Sequence, residues 1–294
     1  MDTTMPRFQV QQIAETFGAM VRGIGISGDI PQPEFAAFLD LFHRYHVLVV
    51  PTDGVAPADL VAFSRRFGEL EIHARVENTL KSNPEIFCVG NAEELGLFKA
   101  SFNTGVEQWH GDSSYREVPS DASLFLGVIC PPEGGDTWFA DVVSAWRDLD
   151  EPTRQAIEHL RGVHDLHTLN EFGRRHSPWR PSLSDERRRE FPPVSQPLVR
   201  VHPVTGEKSM FICPAVISHI EGMSVEASAD LIARLVAHAT QEKYVYRHQW
   251  RTGDLVIWDN RCVLHTASLF DHTKYQRLMF RTTVAGNQIV AQAA

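Results

Sequence analysis

Short apolar runs separated by polar stretches extend along most of the chain, and they predict a protein built mainly from β-strands. Runs of this length that are rich in β-branched and aromatic residues are typical of strands. The five clearest are VLVV (47–50), SLFLGVI (123–129), SMFI (209–212), DLVIWDN (254–260) and MFRTTVAG (279–286). They do not alternate regularly with helical segments, which argues against a doubly wound parallel sheet. The pattern indicates a mainly β fold with flanking helices (α+β), such as a β-sandwich or jelly roll.

Four segments carry apolar residues at helical spacing and are predicted to be helices. They are 33–46, 58–68, 151–162 and 224–239. The first begins with prolines, which suit the first turn of a helix. The second ends in a glycine, which suits a helix C-terminus. The fourth opens with Ser224, a preferred N-cap residue.

Two stretches show neither the strand period nor the helix period, and they are predicted to be irregular. Residues 73–108 are largely polar, and residues 165–195 are dense in arginine, proline and serine. Long loops inside a compact domain often act as lids, although a mobile linker is the alternative. The chain has no internal repeat and no low-complexity tract. Residues 1–294 are therefore predicted to form a single domain, with lid-like loops near 73–108 and 165–195.

Composition and charge restrict the class of protein. The chain has 294 residues, 43% of them hydrophobic, and a formal net charge of −9. The acidic balance argues against a general partner among nucleic acids or membrane surfaces, because both need basic fields. No apolar run approaches the roughly 20 residues of a membrane span, and the N-terminus does not resemble a secretion signal. We expect a soluble, cytoplasmic protein, and whether it is a homo-oligomer stays open.

The four cysteines are too sparse for a disulfide framework. Cys88, Cys130, Cys213 and Cys262 show no CxxC spacing, which argues against a cysteine zinc site. We expect buried free thiols at these positions.

The stretch QWHGDSSY (108–115) places His110 and Asp112 two residues apart. On a β-strand, residues i and i+2 point to the same face, about 6–7 Å apart. An imidazole and a carboxylate would then be aimed at one point and could bind a metal. A single HxD is weak evidence by itself, and two polar residues in a loop remain the alternative.

His265 supplies a third candidate ligand. The segment DLVIWDNRCVLHTAS (254–268) predicts two apolar strands joined by a turn at 259–261, and His265 lies where a packing residue would be expected. Two histidines and one carboxylate form the facial set of non-haem iron(II) oxygenases, with coordination positions left for a chelating cosubstrate and dioxygen. Taken alone, His265 could equally be a hydrogen-bonded core histidine.

Two arginines follow in the segment KYQRLMFRTTV. Arg277 and Arg281 are four residues apart, so on a strand both would point away from the face of Leu278 and Phe280. Inward-facing arginines need anionic partners, and the guanidinium fork suits carboxylates in particular. Nearby Asp or Glu residues of the chain itself are the alternative partners.

Together these segments resemble the taurine dioxygenase family of Fe(II)/2-oxoglutarate-dependent oxygenases, and in particular its dichlorophenoxyacetate dioxygenase branch. The resemblance covers nearly the whole chain and follows the family order. It is carried by WHGDSSY (109–115), CPPEGGDTWF (130–139), HPVTGEKSMFI (202–212), HATQEKYVYRHQWRTGDLVIWDNRCVLHTA (238–267) and QRLMFRTTV (276–284), and faintly by FSRRFGEL (63–70).

The resemblance implies a fold and a role for each site residue. The fold would be a double-stranded β-helix, a cupin-like jelly roll. The implied metal ligands for iron are His110, Asp112 and His265. Arg277 and Thr137 would bind the distal carboxylate of 2-oxoglutarate. The implied substrate contacts are Arg281, His73 and Trp109.

The chain departs from the family pattern at two places near these motifs. Gly111 stands between the histidine and the aspartate, where relatives usually have Thr or Ser, and Cys213-Pro214 stands where an asparagine is common. The first change is expected to loosen the strand without disturbing the ligand set. The second bears on the identity of the substrate.

The implied function is an Fe(II)/2-oxoglutarate-dependent dioxygenase that hydroxylates a small anionic substrate. The cofactors would be Fe(II), 2-oxoglutarate and O2, with succinate and CO2 released. An aryloxyalkanoate, cleaved at its ether bond through a hemiacetal, is the preferred substrate. An alkyl sulfonate, a sulfate ester or an amino-acid-derived carboxylate is the alternative. A zinc hydrolase and a non-catalytic jelly-roll binding protein are the more distant alternatives.

Overall fold

Two β-sheets lie on either side of a shared apolar layer, and the candidate site residues are found at this layer. The structure is a computed structural model, and it describes residues 8–73, 75–94, 98–99, 108–176 and 181–288. Within these ranges, no helix has the length and hydropathy of a membrane span. The predicted mainly β, α+β class is confirmed.

The strands are short and are numbered in chain order. They are β1 (Gln9–Gln12), β2 (Ala19–Arg22), β3 (Val47–Pro51), β4 (Thr79–Leu80), β5 (Asn83–Gly90), β6 (Glu93–Glu94), β7 (Phe98–Lys99), β8 (Ala122–Ile129), β9 (Thr137–Asp141), β10 (Arg161–His164), β11 (Val194–Pro197), β12 (Val199–Val201), β13 (Lys208–Met210), β14 (Ile217–Ile220), β15 (Val245–His248), β16 (Asp254–Asp259), β17 (Val263–Ala267) and β18 (Leu278–Val284). The helices are α1 (Gln32–Tyr45), α2 (Pro57–Ser64), α3 (Val142–Arg147), α4 (Glu151–Ile157), α5 (Leu166–His176), α6 (Asp185–Glu190) and α7 (Val225–Ala239), and Val76–Asn78 and Glu242–Tyr244 are short 3₁₀ turns.

The larger sheet has eight strands in the order β1-β2-β3-β16-β8-β18-β5-β4. All neighbours are antiparallel except β2 and β3. Its central strands are buried on both faces, which is why VLVV and DLVIW read as continuous apolar runs rather than as alternating ones. One face packs against α1 and α2, where Phe35, Phe38 and Phe42 line one side of α1.

The smaller sheet has three strands in the order β15-β9-β17. Phe139 of β9 and Val263 of β17 pack in one cluster with Phe125, Trp258 and Met279 of the larger sheet, so this cluster fills the space between the sheets. The neighbouring residues along β9 and β17, Ala140 and Leu264, point the other way, into a second cluster that includes residues of α3 and α7. This alternation fixes which side chains of the smaller sheet face the larger one.

All four predicted helices are found, and α1 and α7 lie close to their predicted bounds. The third, α4, ends at Ile157 rather than at 162, because Arg161–His164 form strand β10. The predicted N-cap of α7 is confirmed, because the Ser224 hydroxyl accepts a hydrogen bond from the Ala227 backbone N–H. The second helix ends earlier than predicted, at Ser64 rather than Gly68. After Ser64, the Arg66 N–H donates to the Phe63 carbonyl and the Phe67 N–H donates to the Ser64 carbonyl. These bonds form tight turns and do not extend the α-helix.

The prediction of irregular structure for 73–108 and 165–195 is wrong for much of both stretches. Residues 83–90 form β5, an inner strand of the larger sheet, because the short run IFCV is buried against its neighbours. The second stretch contains α5 and α6, whose first turns are capped by Asp165 and Ser184. The lid function predicted for these stretches stays a prediction. Residues 74, 95–97, 100–107 and 177–180, which also belong to them, lie outside the described residues.

Candidate active site

His110, Asp112 and His265 converge at one point between the sheets. One ligand atom from each lies within 4.8 Å of the other two. His265 is on β17, and His110 forms an isolated β-bridge with it, in which the backbones exchange hydrogen bonds of 2.9 and 2.8 Å. The two imidazole rings are 4.2 Å apart between centroids. Residues far apart in the sequence are thus joined by a backbone pairing.

The expectation that His110 and Asp112 share a regular strand is wrong. Only His110 pairs with β17, and the chain turns immediately after Asp112, where Ser113 has a φ of 54°. A non-glycine residue in this left-handed region is uncommon and marks a tight turn. Gly111 makes only ordinary contacts at its Cα, since an added Cβ would lie 3.7 Å or more from its neighbours. The turn, and not a two-residue strand repeat, therefore directs the aspartate toward the histidines.

Both imidazoles offer a lone pair for a metal ion. The Nδ1 of His110 lies 2.8 Å from the carbonyl oxygen of Gln108. A carbonyl oxygen can only accept, so Nδ1 carries the proton and Nε2 is free to bind a metal. Burial lowers the pKa of His265 to about 3, and the nearby His110 adds to the effect. His265 is therefore neutral at neutral pH, as a metal ligand must be.

Asp112 supplies the negative charge of the cluster. Burial is the largest single influence and would by itself raise the pKa of this carboxyl, but the Arg281 guanidinium and smaller contributions from neighbouring groups together hold the pKa well below its usual value. The Oδ1 atom of Asp112 lies 3.8 Å from His265 Nε2 and 3.3 Å from Arg281 Nη1. Two imidazoles and one ionised carboxylate form a donor set that fits Fe(II).

A cavity of about 240 Å³ extends from these histidines along the layer between the sheets. Its walls are mostly apolar, with polar groups at defined points. The lining residues include Phe87, Val89, His110, Phe125, Gly135, Thr137, Trp258, His265, Leu269, Phe270, His272, Arg277 and Arg281. Arg277 and Arg281 both line it, while Leu278 and Phe280 pack into the core on the opposite face of β18, as predicted.

Arg277 is a buried cation that is poorly satisfied by its own chain. Its Nη2 donates to the Gly135 carbonyl at 3.2 Å, while Nε is buried without a hydrogen-bond partner. Among the described residues, no carboxylate lies within 4.0 Å of its guanidinium. Burial lowers the pKa of Arg277 to about 10, so it stays charged at neutral pH. Gly135 is needed beside it, because a Cβ there would lie 3.2 Å from Nε in a backbone with φ of 70°.

Thr137 lies near Arg277 on the cavity wall, and its hydroxyl has a defined direction. The indole Nε1 of Trp250 donates to Thr137 Oγ1 at 3.0 Å. An indole N–H cannot accept, so the hydroxyl hydrogen of Thr137 is left to donate to another group. Arg277 and Thr137 therefore both present donors to the cavity.

The other arginine, Arg281, contacts the cluster of His110, Asp112 and His265 itself. It pairs with Asp112 and lies over the ring of Phe87 at 5.3 Å. His73 also stacks on Phe87, with the two ring centroids 3.8 Å apart. Burial and the Arg281 charge lower the pKa of His73 to about 3, so it is neutral at neutral pH. His73 is not among the residues that line the cavity.

Trp109 does not line the cavity, although the family resemblance implies that it contacts the substrate. Its side chain packs against the second core cluster, around β12 to β14, and is not among the lining residues. Two further residues, Ser123 and Asn260, contact Asp112 and were not predicted from the sequence. Asn260 belongs to the WDNR segment that carried the family resemblance, and this was the available signal. Ser123 opens an apolar strand and gives no signal in the sequence.

A second group of potential ligands, His202, Asp259 and Cys262, also has its ligand atoms within 4.8 Å of one another, but its histidine and carboxylate are already hydrogen-bonded. The Nδ1 of His202 accepts two backbone N–H groups, so its Nε2 carries the proton and donates to Asp259 at 3.1 Å. Arg261 also forms two side-chain hydrogen bonds to the Asp259 carboxylate. With the histidine donating and the carboxylate paired to an arginine, this group holds the turn between β16 and β17 and does not offer a metal site.

Two histidines and an aspartate beside an arginine-lined cavity define a non-haem metal oxygenase. Comparison with known proteins agrees. Residues 9–283 match the family described as taurine catabolism dioxygenase TauD, TfdA family. An alpha-ketoglutarate-dependent 2,4-dichlorophenoxyacetate dioxygenase of Burkholderia sp. (strain RASC) is 34% identical over 278 residues, which are 91% of each chain. An (S)-phenoxypropionate/alpha-ketoglutarate-dioxygenase of Sphingobium herbicidovorans is 32% identical over 96% of each chain.

The same likeness is found among solved structures. The crystal structure of AAD-2 in complex with Mn(II) and N-oxalylglycine superposes with a TM-score of 0.81 at 31% identity, covering 97% of this chain and 99% of that one. The chain belongs to the TauD/TfdA dioxygenase family. The predicted class, an Fe(II)/2-oxoglutarate-dependent dioxygenase that uses Fe(II), 2-oxoglutarate and O2, is confirmed.

Proposed function

We propose that this enzyme hydroxylates a small carboxylate, with an aryloxyalkanoate as the preferred substrate, at an iron held by His110, Asp112 and His265. The observation that carries the proposal is the placement of two arginines in one cavity around that cluster. Arg277 is buried with no carboxylate partner among the described residues, and Arg281 pairs with Asp112 of the cluster. One cavity can thus receive two anions, the cosubstrate and the substrate.

The proposed fold is a double-stranded β-helix formed by a single domain. The strands of the two sheets enclose one apolar layer, and the cluster lies where β17 faces the larger sheet. The family match over residues 9–283 supports one domain rather than two. A jelly roll would explain why a cavity opens between the sheets instead of at a sheet edge.

In this proposal, Arg277 and Thr137 bind the distal carboxylate of 2-oxoglutarate. The Arg277 guanidinium provides a fixed charge, and the Thr137 hydroxyl has its hydrogen free because Trp250 donates to its oxygen. Charge-assisted hydrogen bonds of this kind are strong in a buried site. When bound, iron with 2-oxoglutarate and dioxygen supplies the oxidant that hydroxylates a substrate C–H bond with release of succinate and CO2.

Arg281 binds the substrate carboxylate, and the apolar wall selects the rest of the molecule. Phe87 and Phe125 line this part of the cavity and offer ring surfaces to an aryl group. His73, neutral and stacked on Phe87, would support that ring, whereas Trp109, which packs against the second core cluster, has no substrate contact in this proposal. Two relatives are named for aryloxyalkanoates, which supports this substrate class. Hydroxylation at the carbon that bears the ether oxygen gives a hemiacetal, which collapses and cleaves the ether.

The first test is anaerobic absorption of the purified protein with Fe(II), before and after 2-oxoglutarate. We expect a visible metal-to-ligand charge-transfer band that requires both additions. A panel of aryloxyalkanoates, alkyl sulfonates, sulfate esters and amino-acid-derived carboxylates is then compared by the perturbation of that band and by succinate release. Aryloxyalkanoates should give the largest response. Bound iron without any band would contradict the proposal and favour metal-dependent hydrolysis.

Replacing Arg281 with alanine should weaken the binding of the substrate and leave the binding of 2-oxoglutarate nearly unchanged. We expect the dissociation constant of the aryloxyalkanoate to rise by about 10- to 150-fold, the value of a hydrogen bond to a charged group. That of 2-oxoglutarate should change by less than about threefold, because its carboxylate lies at Arg277. Titration of the absorption band measures both. Arg116→Ala, which removes an arginine paired with Glu71, is the control, and equal weakening of both ligands by Arg281→Ala would refute the assignment.

A further inference from the structure

The two oxygens of the Asp112 carboxylate have different surroundings. Oδ1 faces His265 Nε2 at 3.8 Å and Arg281 Nη1 at 3.3 Å. Oδ2 lies on the other side, 2.7 Å from the hydroxyl oxygen of Ser123. Ser123 is fully buried on β8. Only one of the two carboxylate oxygens is therefore directed toward the histidines.

The direction of the hydrogen bonds around Oδ2 follows from the donors available. The Oδ1 atom of Asn260 receives the indole N–H of Trp258 at 3.0 Å and the backbone N–H of Asp112 at 3.2 Å. Two donors on one atom identify it as the amide oxygen, so Nδ2 of Asn260 is the donor at 3.2 Å from Ser123 Oγ. Ser123 has a single hydroxyl hydrogen, and the acceptor that remains for it is Asp112 Oδ2. A directed chain thus runs from Asn260 through Ser123 to Asp112.

Asn260 is itself held by backbone contacts. Its N–H donates to the Asp121 carbonyl at 2.9 Å, and its carbonyl accepts from the buried Arg200. Arg200 also donates to the carbonyl of Arg261 at 3.1 Å. The turn between β16 and β17 therefore fixes the amide that orients Ser123.

We infer that Ser123 and Asn260 are positioning residues that restrict Asp112 to one coordinating oxygen. The inference rests on the proposed function, because it needs a metal at the cluster. A one-oxygen aspartate and two histidines occupy three of the six positions of an octahedral ion, leaving two for a chelating cosubstrate and one for dioxygen. A carboxylate that coordinated through both oxygens would occupy a fourth position and would leave none for dioxygen. Partners that orient a metal ligand change metal affinity when removed.

The test is metal binding by Ser123→Ala, with Ser120→Ala as the matched control. Both substitutions remove one buried serine hydroxyl next to Asp112, but Ser120 donates to the backbone carbonyl of Asp112 at 3.2 Å and not to its carboxylate. We expect Ser123→Ala to raise the dissociation constant for Mn(II) by about 10- to 100-fold and to change the visible spectrum of the Co(II)-loaded protein. Ser120→Ala should leave both close to wild type. Equal effects of the two substitutions on the Mn(II) constant and the Co(II) spectrum would overturn the inference.

Asn260→Ala tests the same chain from its other end. Asn260 Nδ2 acts on the carboxylate through Ser123, while Asn260 Oδ1 accepts the Asp112 backbone N–H directly. The effects of Asn260→Ala and Ser123→Ala on Mn(II) affinity should therefore be partly non-additive in the double variant. Additive effects would show two independent contributions and overturn the directed chain. Circular dichroism and the melting temperature of each metal-free variant establish that it is folded. Failure of the proposed function is distinguishable, because it would appear in wild type as a missing 2-oxoglutarate-dependent band.

Discussion

The largest expected loss follows from replacing His265 with alanine, which should abolish turnover and metal binding together. His265 supplies one of the two imidazoles of the cluster, so alanine at this position would leave the metal two protein ligands instead of three. We expect turnover to fall by at least about 10³-fold, as when one member of a catalytic unit is removed. Succinate release and Mn(II) binding by electron paramagnetic resonance measure the two effects.

His238→Ala is the matched control for this substitution. His238 is a half-buried histidine on α7, hydrogen-bonded to the Ala145 carbonyl, and it does not line the cavity. Its removal should leave Mn(II) binding and turnover within about threefold of wild type. Metal binding of normal affinity by His265→Ala would exclude His265 as a ligand, even if activity were lost.

The second large effect is expected from Arg277→Met, and it should separate function from stability. The substitution removes the predicted charge contact of the distal 2-oxoglutarate carboxylate, so the KM for 2-oxoglutarate should rise by at least about 100-fold, while substrate affinity stays close to wild type. The metal-free protein should not lose stability. The guanidinium is buried with Nε lacking a partner, and a side chain of similar length without charge removes that cost.

The melting temperature of the metal-free protein and the 2-oxoglutarate dependence of succinate release test this prediction. Arg277→Lys keeps the charge but loses the planar fork, so its KM should lie between those of wild type and Arg277→Met. An unchanged KM in Arg277→Met would refute the cosubstrate role. A large drop in melting temperature would show that Arg277 is a structural cation instead.

The stretches predicted to be irregular show where a single sequence reaches its limit. The run IFCV carries an adequate strand signal, but it is short and lies inside a polar stretch, and its place beside β18 depends on a pairing of Phe87 with Arg281 that is distant in sequence. The caps of α5 and α6 are local, so Asp165 and Ser184 could have predicted both helices. In both cases the stretch is polar on average, and this average hid a short apolar run or a single capping residue that predicted regular structure.

At the site, too, local motifs predicted some residues, while the role of others depends on their position in space. Local motifs identify His110, Asp112, His265, Thr137, Arg277 and Arg281, because metal and carboxylate chemistry restricts the residue types that can occur there. The mechanism by which His110 and Asp112 meet was predicted wrongly, since a turn at Ser113 replaces the expected strand repeat. Ser123 could not have been found, because its importance lies only in being opposite Asp112.

Residue types and motifs along the chain were enough to indicate the family, the reaction class and the positions of the charged groups and candidate metal ligands. These depend on residue identity, which the chain states directly. The tertiary structure alone decided which oxygen of Asp112 faces the histidines, that Arg277 lacks a carboxylate partner among the described residues, and that Arg281 contacts the cluster. Those facts are distances between residues far apart along the chain, and they arise only when β8, β17 and β18 are packed around one cavity.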